Sequence, residues 1–181
     1  IRMGGFLGGY ASGGNVCNFT NCTVEPDVKI GYNKNTGAAS GLSKVGSFGG
    51  EVSGQFLNCV SYADVYGVDN VGGIGGVKGQ SMGPYSYGNC EFYGTITATG
   101  SCVGGIVASG YNSISAPNTL CTSVENCIVA ANITGTDKVG GILGGEKGIA
   151  QNWGNVYIRN NVFYGTLKAT EEGGLAGGIV G

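Results

Sequence analysis

A chain of 181 residues is long enough for one domain with a sizeable core. Only 11% of its residues are charged, its net charge is −2, and it holds 39 glycines against 3 prolines; these figures exclude a polyelectrolyte, collagen and a basic nucleic-acid surface. Glycine disfavours helix interiors by about 1 kcal/mol relative to alanine, and no apolar run approaches the roughly 20 residues of a membrane-spanning helix, so a mostly β fold with no nucleic-acid partner and no membrane insertion is expected.

The chain opens on MGGFLGG from Met3. It repeats that phrase as VGSFGG from Val45, VGGIGG from Val71, VGGIVA from Val103, VGGILGG from Val139 and AGGIVG from Ala176. Between the phrases lies a second motif: TNCTVEPDVKI from Thr20, LNCVSYADVYG from Leu57, GNCEFYGTITA from Gly88, ENCIVAANITG from Glu125 and RNNVFYGTLKA from Arg159. Aligned without gaps, these put Cys22, Cys59, Cys90, Cys127 and Asn161 in one column and Val24, Ser61, Phe92, Val129 and Phe163 two residues on. Pro26, Ala63, Gly94, Ala131 and Gly165 follow, then Val28, Val65, Ile96, Ile133 and Leu167. A period of two places all four columns on one strand face, the inward one. The alternate columns, Glu25/Tyr62/Tyr93/Ala130/Tyr164 and Asp27/Asp64/Thr95/Asn132/Thr166, then face outward. A column of Asn21, Asn58, Asn89, Asn126 and Asn160 suits an amide ladder or a turn.

Columns recurring at roughly 26–42 residues, without helical periodicity, predict an all-β parallel β-helix (β-solenoid) of about five irregular coils with inserted loops. It forms a single domain over residues 1–181. Each glycine phrase supplies a strand and a corner, its apolar residues (Val71, Ile74, Val139, Ile142) filling the bore. No helix-forming stretch follows any phrase, which argues against a dinucleotide or phosphate loop. The chain begins and ends inside repeats, so a longer parent array with flanking domains is expected.

The phrases VGGIGG, VGGILGG and AGGIVG, each with an Asn-bearing strand and, in two units, a GTI or GTL segment, resemble GLUG-motif repeats. Such repeats occur in large secreted or surface-anchored bacterial proteins, including adhesins and some immunoglobulin A peptidases. The resemblance spans essentially the whole chain and implies a structural or adhesive module that is secreted or at the cell surface. The long inserts and the Cys column depart from the simple pattern.

Histidine is absent, which removes Ser-His-Asp and Cys-His catalysis from this chain. Its 7 cysteines lack CxxC spacing, so no zinc site is expected, nor any other metal or cofactor. The Cys column reads as buried thiols, with coil-to-coil disulfides within geometric reach. Carboxylates are the remaining catalytic candidates: Asp27 and Asp64 in one outward column, with Asp69 nearby. Carboxylates about 5–9 Å apart serve glycoside hydrolysis, so the alternative function is a glycan-active β-helix enzyme, glycosidase or polysaccharide lyase. The same acids also suit solvated turns.

Three variable segments leave the solenoid at equivalent points: VKGQSMGPYSYG from Val77, SGYNSISAPNTLCTSV from Ser109 and EKGIAQNWGNVYI from Glu146. They carry Tyr85, Tyr87, Tyr111, Trp153 and Tyr157 to one side. Aromatic residues with neighbouring amides suit stacking on a glycan or docking on a host surface protein, and equally suit covering the side of the solenoid. The column Tyr62, Tyr93 and Tyr164 is expected either to stabilise the sheet as an aromatic ladder or to offer a second surface.

Overall fold

The computed structural model describes residues 3–8, 17–78, 85–109, 122–145 and 156–181. No helix occurs among the described residues; parallel strands stack as a β-solenoid of about four turns. One turn runs through Val71–Gly72, Gly75–Lys78, Tyr85–Gly88, Glu91–Phe92 and Thr95–Ala98 before Val103–Gly104 starts the next.

The glycine phrases form a six-stranded sheet in chain order, with Met3, Val45, Val71, Val103, Val139 and Ala176 in one register. Val45, Val71, Val103 and Val139 are fully buried, as are Phe48, Ile74, Ile106 and Ile142 three residues later. Each such side chain contributes about 1.5–3 kcal/mol by leaving water. Glycine is required by proximity here. A Cβ on Gly105 would run into the Gly141 carbonyl oxygen and stand 2.7 Å from Val129 Cγ1. The corner therefore closes directly onto the neighbouring coil.

Two corners per turn use left-handed backbone. Asn21, Asn58, Asn89, Asn126 and Asn160 have φ of 53, 52, 52, 56 and 52°, which asparagine tolerates best after glycine. The second corner precedes each buried valine and holds Lys44, Asn70, Cys102 and Lys138 at φ of 58, 57, 61 and 53°. Its mixed residue types hide it from a sequence reading, since only Asn70 advertises the conformation.

The strand two residues before each Asn forms its own sheet, with Phe19, Phe56, Tyr87, Val124 and Ile158 stacked in register. Rings of Phe19 and Phe56 stack at 5.1 Å, and those of Phe56 and Tyr87 at 4.8 Å. This aromatic column lines the bore.

The Asn-bearing motif strands pair as expected in four units. Val65, Ile96, Ile133 and Leu167 share one register, with the first three buried. The first unit corrects the gapless alignment. Val65 pairs with Ile30 and Asp64 with Lys29, while Val28 is 37% exposed. Pro26 lacks the N–H needed to continue the ladder, and Asp27 turns the chain at φ 68°. Two extra residues are thus looped out before Lys29–Ile30 rejoins the sheet. The long insert that follows forms an antiparallel hairpin, Tyr32–Asn33 with Ala38–Ala39, and Tyr32 leans on Tyr66 at 5.1 Å.

Candidate functional site

The candidate carboxylates are tied into the scaffold to different degrees. Asp64 Oδ1 accepts hydrogen bonds from Thr95 N at 3.1 Å and Thr95 Oγ1 at 2.6 Å on the next coil. Asp69 Oδ1 accepts from Ser101 N at 2.9 Å and Ser101 Oγ at 3.3 Å. Asp137 occupies the same place two coils later and accepts from Leu175 N at 2.9 Å. These are acids that satisfy the backbone of a neighbouring turn. Asp27 is exposed in the looped-out segment, and the corrected register sets Lys29 rather than Asp27 beside Asp64. The expected Asp27–Asp64 coil pair is therefore not formed.

The aromatic candidates separate in the same way. Tyr87 is fully buried and stacks on Phe56, so it is a bore residue and not part of a surface. Tyr157 is 38% exposed, with the Arg159 guanidinium 4.8 Å from its ring centroid. Tyr85 heads the strand Tyr85–Gly88. Tyr111 and Trp153 lie outside the described residues. The strands that bracket their inserts are in register: Val77 pairs with Ser109 before the inserts, and Tyr85, Thr122 and Val156 align after them. The inserts leave and rejoin the solenoid at stacked positions.

The Cys column is a thread of sulfur inside the apolar bore. Cys59, Cys90 and Cys127 are fully buried and Cys22 is half-buried; all four are free thiols. Cys90 N donates to Cys127 Sγ at 3.4 Å, and Cys127 N donates to Asn161 Oδ1 at 2.8 Å. Asn161 Nδ2 in turn donates to Val124 O at 2.7 Å. An amide thus takes the place of sulfur in the last unit and satisfies two backbone groups. A hydrogen bond to Cys127, reinforced by burial, pushes the Cys90 thiol up to about 12; Cys59 is raised by its bond to Cys90 and by burial. Cys127 is lowered by that bond to Cys90, with burial opposing. Among the described residues, no group of three or more Cys, Asp or Glu is placed to hold a metal ion.

The outward face of the Asn-bearing strands carries the most organised exposed chemistry. Tyr62 and Tyr93 stack at 5.3 Å with an interplanar angle of 19°. Tyr93 Oη donates to Glu91 Oε2 at 2.6 Å, and that bond, with burial second, pushes the phenol up to about 12. Ala130 comes next in the column, and Tyr164 beyond it is 61% exposed. Alongside runs a polar row in which Thr95 donates to Asp64 and Thr166 Oγ1 donates to Asn132 Oδ1 at 2.6 Å. The sequence lines up these residues in two columns; the break in the aromatic column at Ala130 is legible there too, but its meaning depends on the stacking.

Comparison of the chain with protein-family models, with curated proteins and with solved structures gives no match.

Proposed function

We propose that the chain is a structural and adhesive module of a secreted or surface-anchored bacterial protein, a rod that displays a ligand-binding face. The observation that carries this reading is the use each coil makes of its polar groups. The carboxylates of Asp64, Asp69 and Asp137 each accept hydrogen bonds from the adjacent coil, and the Asn side chains bond to one another along the axis. Groups spent on joining coils favour a scaffold over a reaction centre. The likeness to GLUG-motif repeats supports the cell-surface setting, and the stacked roots of the inserts support a binding face built where coils differ. Low charge favours a neutral glycan or a protein surface as the ligand.

The test is a glycan array and a panel of host surface proteins, probed with the wild-type chain and Trp153→Ala. Loss of binding at an unchanged melting temperature supports the insert side as the face. Unchanged binding moves the ligand elsewhere, and a large fall in melting temperature makes Trp153 structural. Release of reducing ends or unsaturated products from polysaccharides, abolished by Asp64→Asn, would replace the adhesive reading with the enzymatic one.

A further inference from the structure

The tyrosine column on the outward face is interrupted once, and the interruption has the dimensions of a binding slot. Tyr93 and Tyr164 flank Ala130, whose strand lies between theirs. Strand pairing fixes this order: Phe92 pairs with Val129 and Val129 with Phe163, while Ala130 pairs with Tyr164. Two interstrand steps of about 4.8 Å separate the two tyrosine backbones, so they stand about 10 Å apart. In the uninterrupted part of the column, Tyr62 and Tyr93 fill one such step with ring-on-ring contact at 5.3 Å. At Ala130 only a methyl group forms the floor.

We propose that this gap binds one neutral hexopyranose ring of a glycan, held between Tyr93 and Tyr164 above Ala130. The inference gives the adhesive reading a specific site, and it rests on that reading only in taking a glycan as the ligand. Three observations favour a sugar. First, a flat ring in carbon contact with two others spans only about 7 Å, twice the ~3.5 Å contact distance; a puckered pyranose with axial C–H groups on both faces is thicker and fills more of the gap. Secondly, the wall formed by Tyr93 is set in place before binding, by Tyr62 stacked behind it and by its hydrogen bond to Glu91. A preorganised wall lowers the entropy cost of binding. Thirdly, the neighbouring row supplies hydroxyl partners. With Asn132 Oδ1 engaged by Thr166, the Asn132 amide nitrogen remains to donate, and the hydroxyl oxygens of Thr95 and Thr166 remain to accept. These three groups are neutral and lie two residues along their strands from Tyr93, Ala130 and Tyr164.

The slot is tested with two substitutions that leave the bore untouched. Ala130→Tyr fills the gap with the missing ring of the ladder, and Tyr164→Ala removes a wall that is mostly in water. Both variants, checked by circular dichroism and melting temperature, are titrated calorimetrically beside wild type with hexasaccharides of glucose, mannose and N-acetylglucosamine. The expected result is that wild type binds at least one hexasaccharide, that each substitution weakens binding about tenfold, the weight of one lost stacking contact, and that Ala130→Tyr melts no lower than wild type. Equal affinity in all three proteins overturns the slot while leaving the adhesive reading in place on another face. Binding of an aromatic peptide, lost in Ala130→Tyr, without saccharide binding overturns the sugar assignment. Failure of wild type to bind any of the hexasaccharides also overturns it, and the adhesive reading is then decided separately by the panel of host surface proteins.

Discussion

Asn89 donates its side-chain amide to Asn58 Oδ1 at 3.0 Å, and Asn58 does the same to Asn21 at 3.0 Å. The same asparagines hold left-handed backbone at the corner, so each does two jobs that substitution can separate. Asn58→Gly keeps the corner and removes the ladder; Asn58→Ala removes the ladder and leaves a Cβ in left-handed backbone without the short polar side chain that lets asparagine tolerate it. The expected losses are about 1–2 kcal/mol for glycine and about 1 kcal/mol more for alanine, read from urea unfolding midpoints. Equal losses would mean that the corner conformation contributes nothing.

Gly105 and Gly178 occupy the same letter of the repeat and should respond oppositely to alanine. A Cβ at Gly105 collides with the next coil, whereas at Gly178 it has nothing within 4 Å. Gly105→Ala is expected to cost about 1–3 kcal/mol or more from overpacking. Gly178→Ala is expected to be neutral, or to stabilise by a few tenths of a kcal/mol through a less flexible unfolded chain. Thermal melts of the two variants decide this.

The sealed thiols predict a graded reactivity. In native protein at pH 8, an aromatic disulfide reagent should label Cys22 and Cys17, which are half-buried, and leave Cys59, Cys90 and Cys127 untouched until denaturant is added. Rapid labelling of Cys90 in the native state would mean that the bore opens.

Alkaline pH should weaken the fold through the same column. Cys90 titrates near 9 when unfolded and is pushed up to about 12 in the fold. The unfolded chain therefore loses its proton first as pH rises. Stability is intact below pH 9 and falls between there and about 12, with Cys59 adding in the same direction and Cys127 offsetting part of it. Cys90→Ser, which does not titrate in this range, should show a shallower decline of melting temperature above pH 9. An unchanged slope would put the alkaline sensitivity elsewhere, with Tyr93 next in line.

Tyr87 and Tyr157 make a matched pair for separating core from surface. Tyr87→Ala is expected to cost about 3–5 kcal/mol, as for other large buried aromatics, and Tyr157→Ala less than about 0.5 kcal/mol. Comparable losses would place Tyr157 in a tighter setting than its exposure indicates.

Much of this solenoid was legible because stacking forces one residue type into one column. The Val of four of the six glycine phrases, the Asn corner, the inward Cys column and the column of Val65, Ile96, Ile133 and Leu167 could be read directly. Val28 misled because hydrophobic type alone cannot reveal a two-residue loop; the informative residue was Pro26, which cannot join a ladder. Tyr87 was misplaced because it was counted with an insert, although it stands two before Asn89, just as Phe56 stands two before Asn58. That column of Phe19, Phe56, Tyr87, Val124 and Ile158 was visible at period two. The left-handed corner at Lys44, Cys102 and Lys138 left no sequence signal, since neighbouring coils impose it. For the candidate site, the outward tyrosines were evident in sequence. The width of their gap comes from strand spacing.

The coil dimensions also set how the rod answers a pull. Stacked asparagines on adjacent coils are 37, 31 and 34 residues apart in the chain, yet each coil advances the axis only about 4.8 Å. The bonds between coils run along that axis, so tension on the ends peels them apart one turn at a time. Each turn released yields roughly 100–130 Å of extended chain, more than twenty times its contribution to the rod. A load on the ends of the chain is thereby capped at what one coil's bonds withstand, and the surplus is taken up as length.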